Sequence, residues 1–353
     1  MGGGGRCAIV ATATFSYSRR EKCGYHVHRR PAFLGEIQTE APQLPAREAA
    51  EAAEYARASL APATLRAYRA DWEDFGFWCR QRGLTSLPAA PETVGAYLAS
   101  LGPTHSRSTL RRRLAAIGQA HRLARQPWTP GDPAIRNTLQ GILRRHGRPA
   151  RQAAALTTAE VKRLVAVCGT DPAGLRDRAL LLLGFAAALR RAELVAIVRE
   201  DLTFTTEGLE LLIRRSKTDT VGTGHRLGIP RGEKPDTCPV RAMEAWLRVS
   251  HCEYGPVFRR VDPWGGFATS ALHPDAVRQI LRKRAAAAML TLPAGDRLSP
   301  HGLRAGFVTT AYKAGVPDEA IMTHTRHKDL RTMRGYVRRA VLVSESPARK
   351  LGL

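Results

Sequence analysis

Apolar residues recur at three- and four-residue steps along the first half of the chain, a spacing that predicts amphipathic helices. The clearest helix begins at Pro62 and ends at Gly83. Its apolar face consists of Leu65, Tyr68, Trp72, Phe75 and Cys79. We expect these aromatic side chains to form a core rather than to stack on bases. The same spacing predicts three more helices, over residues 91–101, 106–125 and 132–146.

The second half of the chain mixes helical and strand patterns. Thr157 and Glu160 form a capping box, which predicts the start of a helix. A long helical region follows over 175–198, with a break near Gly184. Further helices are predicted over 238–249, with Trp246 in the core, and over 275–290. Short β segments are predicted between these helices, over 202–205, 209–213 and 225–229. The fold class is therefore mostly α with a small β-sheet.

These patterns divide the chain into three segments. Residues 1–54 begin with a run of glycines and continue through a Pro-, Ala- and Glu-rich stretch, so we expect a disordered tail. Residues 55–149 form a helical domain, and residues 150–353 form a mixed α/β domain. The polar, irregular stretch over 147–155 is the predicted linker.

The formal net charge is +24, which is typical of a protein that binds a phosphate backbone. Arginines on the predicted helices are the candidate DNA contacts: Arg107, Arg111, Arg112, Arg144, Arg145 and Arg282. A merely solvated basic face remains the alternative. The six cysteines contain no C-x-x-C pair, which argues against structural zinc and for reduced thiols in a cytosol. The chain lacks an apolar run of about 18 residues, so no membrane span is expected.

The segment 299–336 carries the candidate chemistry. Ser299 is the predicted N-cap of a helix on which His301 and Arg304 share the first turn. A second short helix precedes His327, and Tyr336 follows. An imidazole, a guanidinium, a second imidazole and a phenol together suit attack of the phenol on a phosphate whose charge the cations hold.

Two upstream elements extend this set. Arg190 and Glu193 are three residues apart, so the carboxylate can fix the guanidinium on a helix. Arg191 is a second candidate for the guanidinium that Glu193 fixes, although the spacing to Glu193 favours Arg190. Lys217 lies in the predicted turn between the second and third β segments, where the alternative to a functional role is a solvated turn charge.

Together these residues resemble the tyrosine recombinase (phage integrase) family. His301-Gly-Leu-Arg304 matches the family's His-x-x-Arg box, and His327 with Tyr336 matches its third element. The stretch from Ala188 to Leu194 matches the Gly-Leu-Arg-x-x-Glu-Leu box except that Ala188 replaces the glycine.

The resemblance implies an N-terminal helical core-binding (SAM-like) domain and a mixed α/β catalytic domain that clamp duplex DNA as a C shape. It implies strand cleavage by Tyr336 through a 3′-phosphotyrosine link, without ATP, metal or cofactor, and with no small-molecule substrate. Arg190, Lys217, His301, Arg304 and His327 would be the other catalytic residues, with Glu193 supporting Arg190. Four protomers would assemble on paired DNA sites, in the bacterial cytoplasm with the nucleoid.

Two other functions stay open at this point. A type IB topoisomerase uses similar active-site residues and relaxes supercoiled DNA as a monomer. An inactive DNA-binding protein on the same fold would keep the basic surface without cleavage. The sequence names neither the DNA site nor the biological role.

Overall fold

The computed structural model describes residues 45–149, 151–214, 223–340 and 346–351. The chain divides into two compact units between His146 and Gly147. Lys217 and residues 1–44 of the predicted tail lie outside the described residues.

The described part of the first unit is helical. Its helices are α1 (Ala46–Ala58), α2 (Pro62–Arg80), α3 (Pro91–Leu101), α4 (Arg107–Leu123) and α5 (Pro133–His146). Phe75 and Cys79 of α2 are fully buried against Tyr97, Leu98 and Ile117, which confirms the predicted core face. Leu65, at the start of α2, is 37% exposed, so the predicted face reaches the core only in its second half.

A tail is the wrong description of residues 46–54, because they belong to α1. The segment AREAAEAAEYARA consists almost wholly of Ala, Glu and Arg, which have high helix propensity. An exposed ion pair between Arg47 and Glu51, with 3.1 Å between Nε and Oε1, adds a small amount of stability to the helix.

The second unit packs helices around a small antiparallel sheet. Its strands are β1 (Leu202–Phe204), β2 (Gly208–Ile213), β3 (His225–Pro230), β4 (Arg259–Val261) and β5 (Phe267–Ala271). Its first helices are α6 (Thr158–Ala166), α7 (Pro172–Ala186), α8 (Arg191–Val195), α9 (Pro239–Ser250) and α10 (Pro274–Ala287). Three more follow: α11 (His301–Lys313), α12 (Asp318–Thr325) and α13 (Leu330–Ala340).

The sheet order β1-β2-β3 sets Leu211 opposite both Leu202 and Leu227, so these side chains enter the core together. Trp246 of α9 is fully buried, as predicted, and its indole N–H donates to the Val257 carbonyl at 2.9 Å. The β4–β5 hairpin is absent from the sequence prediction, because β5 is largely exposed and lacks a clear apolar alternation.

Two local predictions in this unit are wrong. The break predicted near Gly184 falls later, since the helix continues to Ala186, and Gly184 instead gives room to Leu194 and Leu303, which a Cβ would approach at 3.2 and 3.3 Å. The turn instead follows at Ala188, which adopts a left-handed conformation with φ +46°. Ser299 does not cap α11, since Pro300 occupies the N-cap and the buried Ser299 hydroxyl has no hydrogen-bond partner in the part of the chain that the structure describes.

Helix α11 lies directly on the first residues of the second unit. The Leu156 N–H donates to the Gly302 carbonyl at 2.9 Å, and the Ala154 N–H donates to the Arg297 carbonyl at 3.0 Å. A Cβ on Gly306 would stand 1.7 Å from the Leu156 carbonyl oxygen, so only glycine permits this approach. The backbone of 152–156 therefore fixes the helix that carries His301 and Arg304.

Helices α12 and α13 pack on the other side of α11 through a separate small cluster. Val308, Ile321, Met333 and Val337 form its buried centre, and Tyr336 packs against it. The main core of the unit includes none of these four residues.

Candidate active site

The start of α11 and the end of α13 bring His301 and Tyr336 together. His301 Nε2 lies 2.7 Å from the Tyr336 hydroxyl oxygen, and the ring centroids are 5.5 Å apart. Tyr336 is half-buried and His301 keeps access to solvent. A substrate can therefore reach both groups.

Arg304 is the most deeply buried cation near this pair, with 1% of its surface exposed. Its Nη1 donates to the Ala188 carbonyl at 2.6 Å, and its Nη2 has no hydrogen-bond partner among the described residues. The left-handed turn at Ala188 presents that carbonyl to Arg304. Burial and the charges of Arg190 and Arg326 lower the pKa of Arg304 to about 10, so it stays charged at neutral pH.

Arg190 stands at the N-cap of α8, and Glu193 holds it there. The Arg190 Nη1 donates to Glu193 Oε1 at 2.6 Å, and the Arg190 backbone N–H donates to Oε2 at 2.9 Å. Arg191 points elsewhere and pairs with Asp275 at 2.6 Å, with 45% of its side chain exposed. The contact predicted from spacing is thus made by Arg190.

His327 lies beside Tyr336, with 5.8 Å between the ring centroids. Its Nδ1 is 2.6 Å from the Thr325 hydroxyl, which donates to the Ile321 carbonyl at 2.6 Å. A hydroxyl has one proton, so we assign the Nδ1–H as donor to Thr325, which leaves Nε2 as acceptor. Burial and the charges of Arg304, Arg190, His301 and Arg326 lower the pKa of His327 to about 4.

Arg326 is a member of this site that the sequence analysis missed. Its Nη2 donates to Glu193 Oε2 at 3.0 Å, and 8% of its side chain is exposed. The signal available in the sequence was a cationic residue directly before His327. Its partner, however, lies on a distant part of the chain.

The pKa shifts describe a site that is cationic but holds its proton-transfer groups neutral. Burial raises the pKa of Tyr336, and the charges of Arg304 and Arg190 act in the opposite direction. Partial burial, with the charges of Arg304, Arg190 and Arg297, lowers the pKa of His301. A neutral His301 at 2.7 Å can accept the phenol proton, because its Nε2 is then free to act as acceptor.

The predicted contact arginines lie apart from this site in sequence. All six are exposed: Arg107, Arg111, Arg112, Arg144, Arg145 and Arg282. Arg112 also pairs with the buried Asp71 at 3.2 Å, so part of its charge is neutralised within its own unit.

Comparison with known proteins gives the class that this fold and site define. The chain belongs to the phage integrase family, whose sequence profile matches residues 154–341. An integrase/recombinase xerD homolog from Selenomonas ruminantium is 33% identical over 299 residues, covering 83% of this chain and 86% of that protein. The tyrosine recombinase XerD of Caulobacter vibrioides is 29% identical over 280 residues, covering 77% and 85%.

Solved structures share the fold. A lambda integrase dimer bound to a COC′ core site has a TM-score of 0.52 at 16% identity and covers 86% of this chain and 83% of its own. The XerH recombinase bound to its difH substrate before cleavage has a TM-score of 0.50 at 16% identity, covering 72% and 69%. The chain is thus a tyrosine recombinase-type enzyme. Among the described residues, no helix combines the length and apolarity that a membrane crossing requires.

Proposed function

We propose that this enzyme cuts and rejoins duplex DNA at specific sites through a transient 3′-phosphotyrosine bond to Tyr336. The observation that carries the proposal is the 2.7 Å contact between the Tyr336 hydroxyl and His301 Nε2 beside two guanidiniums. The similar XerH recombinase is bound to its difH substrate and the lambda integrase to a COC′ core site, and the net charge of this chain is +24.

In the cleavage step, the Tyr336 oxygen attacks the phosphorus while the bond from phosphorus to the 5′ oxygen breaks. His301 takes the phenol proton, and Lys217 gives a proton to the leaving 5′ oxygen. The products are a 3′-phosphotyrosine link and a free 5′-hydroxyl. The reverse attack by a 5′-hydroxyl rejoins the strand, so the energy of the phosphodiester bond is conserved and no ATP is needed.

Arg190 and Arg304 hold the non-bridging oxygens of the phosphate, on which negative charge grows during the transfer. A guanidinium gives two parallel donors to such oxygens, which an ammonium cannot reproduce. Among the described residues the buried Nη2 of Arg304 has no hydrogen-bond partner, so it retains donors for this purpose. His327 hydrogen-bonds the phosphate through Nε2 once it takes up a proton, which the arriving negative charge favours.

The two units have different roles in this proposal. We assign residues 55–149 to a helical DNA-binding domain and residues 150–353 to the catalytic domain. The exposed arginines on α4, α5 and α10 supply contacts to DNA phosphates. Exchange of strands between two sites requires four protomers, two for each site.

The test begins with selection of a duplex that the protein binds from a randomised pool. This selected duplex is then nicked so that the short 5′-hydroxyl fragment leaves after cleavage and the covalent adduct accumulates. Wild type should form the adduct, Tyr336→Phe should form none, and Tyr254→Phe, which alters an 81% exposed phenol, should match wild type.

The other outcomes separate the rival functions. If wild type forms no adduct on any selected duplex, the protein is a DNA binder rather than a recombinase. If Tyr336→Phe still forms it, another residue is the nucleophile. Relaxation of supercoiled plasmid without exchange between paired sites would identify a topoisomerase.

A further inference from the structure

Arg326 occupies a backbone conformation that disfavours it. It is the C-cap of α12, with φ +58° and ψ +42°. A residue with a Cβ is strained in this left-handed region, whereas glycine adopts it freely. The side chain is also a buried cation, with 8% exposed. The backbone strain and the burial of a cation are both unfavourable for folding. We therefore expect the contact made by the Arg326 side chain to serve a purpose other than stability.

That contact is with the carboxylate that holds Arg190. Glu193 Oε2 accepts from the Arg190 backbone N–H at 2.9 Å and from Arg326 Nη2 at 3.0 Å. Glu193 Oε1 accepts from Arg190 Nη1 at 2.6 Å. The Arg326 Nη1 meanwhile donates to the His324 carbonyl at 3.1 Å. One buried carboxylate therefore joins α8 to the end of α12.

The end of α12 leads directly into the reacting groups. His327 follows Arg326, and its ring is held by Thr325 on the other side. The α12–α13 segment packs on α11 through its own small cluster rather than through the main core. The ion pair between Glu193 and Arg326, called the tie below, thus connects Arg190 and α8 with the segment that bears His327 and Tyr336.

We propose that Arg326 is a positioning residue that acts through Glu193 to hold Arg190 and the turn that bears His327 in fixed positions relative to each other. This inference rests on the proposed cleavage reaction. We assign Arg326 to positioning rather than to the phosphate, because its Nη2 donates to Glu193 and its Nη1 donates to the His324 carbonyl.

A substitution by glycine separates positioning from simple stability. Arg326→Gly removes the tie but also relieves the backbone strain, and Glu193 keeps Arg190 as its partner. His251→Gly is the matched control, since His251 is the exposed C-cap of α9 with φ +46° and ψ +43°. Both variants should keep the Tm of wild type or exceed it.

Hydrogen exchange of the full chain without DNA tests the tie directly. In Arg326→Gly, amides of α8 and of residues 323–328 should exchange faster together, by on the order of tenfold or more. His251→Gly should change neither segment. If α8 exchanges at the wild-type rate in Arg326→Gly, the proposal is wrong.

Adduct formation at saturating concentrations of the selected, nicked duplex tests the consequence. Arg326→Gly should slow the reaction by on the order of 10²-fold, because small misplacements of reacting groups have effects of that size. The Kd for the duplex should not change. Arg326→Lys, which keeps a charge but not the fork, should recover part of the rate.

The Glu193→Gln variant completes the test. If Arg326 acts through Glu193, adding Arg326→Gly to Glu193→Gln should slow the reaction far less than Arg326→Gly does in wild type. Full additivity, or a wild-type rate in Arg326→Gly, overturns the proposal while leaving the cleavage function intact. If wild type itself forms no adduct, the cleavage function fails, and the exchange result alone still decides the tie.

Discussion

Two clusters of buried arginine, one in each unit, differ in how their charge is balanced. In the first unit, Arg113 contacts Asp74 and the Tyr97 hydroxyl, with Asp71 at 3.9 Å. Burial would lower the pKa of Arg113, but Tyr97 and Asp74 outweigh it and the pKa is raised. In the second unit, Arg304 has no carboxylate partner among the described residues, and its pKa is lowered to about 10.

This difference distinguishes arginines that stabilise the fold from arginines that are placed to bind an anionic ligand. A buried cation without a counter-charge is unfavourable unless an anion arrives. Arg190 and Arg326 share the Glu193 carboxylate and Arg304 contacts no carboxylate, so the described part of the site carries excess positive charge. The cluster around Arg113 has no such excess, because Asp71 and Asp74 offset Arg112 and Arg113.

The largest expected effect comes from Arg304→Gln. It should slow adduct formation on the selected, nicked duplex by about 10²–10³-fold, since a preorganised donor to the reacting phosphate is lost. The free energy of unfolding, measured in urea, should stay the same or rise, because an unbalanced buried cation is removed. A large loss of stability would place Arg304 with the structural arginines instead.

Arg113→Met should give the opposite result. It should lower the free energy of unfolding by about 2 kcal/mol, less than for a fully buried pair, because the Asp74 side chain is 48% exposed and Arg112 still offsets Asp71. Urea unfolding measures the loss, and hydrogen exchange shows that it falls in the first unit. Adduct formation at saturating duplex should match wild type, and a slow reaction there would contradict the comparison.

The pH dependence of stability should report the excess charge around His327. Its pKa is about 4 when folded and close to 6.5 when unfolded, so the unfolded chain binds more protons between these values. Stability from this group is complete above pH 6.5 and is lost as the pH falls towards 4. His327→Gln should remove about 1–3 kcal/mol of this dependence, at 1.36 kcal/mol for each pKa unit less a reduction for half-burial. Parallel urea curves for both proteins from pH 7 to 4 test this prediction.

The smallest expected effect concerns the turn that serves Arg304. Ala188→Gly should raise the free energy of unfolding by about 1 kcal/mol, because glycine accepts the left-handed conformation without strain. The carbonyl that receives Arg304 belongs to the backbone and should remain in place, so the cleavage rate should hold. A higher urea midpoint at an unchanged rate is the expected pair of results.

Much of the fold follows from local pattern. The predicted helix over 91–101 coincides with α3, and the three predicted β segments lie within a residue of β1, β2 and β3. The failures have two origins. Gly184 marks close packing against the distant Leu303 rather than the end of a helix, and the N-cap of α11 is Pro300 instead of its neighbour Ser299.

The candidate site, like the fold, could be predicted from the sequence only in part. Spacing alone connects Arg190 with Glu193 and sets His301 beside Arg304 on one turn. It does not show Arg326, whose partner Glu193 lies 133 residues earlier. It also does not show that Arg304 has a free nitrogen, because that depends on which atoms the fold leaves around it.

The close approach between Gly306 and the Leu156 carbonyl has a practical consequence for dissecting the molecule. Residues 152–156 precede the first helix of the second unit, yet their backbone packs against and hydrogen-bonds to α11. A fragment that starts before Gln152 retains this contact, whereas one that starts at Thr158 leaves the glycine face of the helix uncovered. The cut chosen to isolate the second unit therefore determines whether the isolated piece still has an organised catalytic centre.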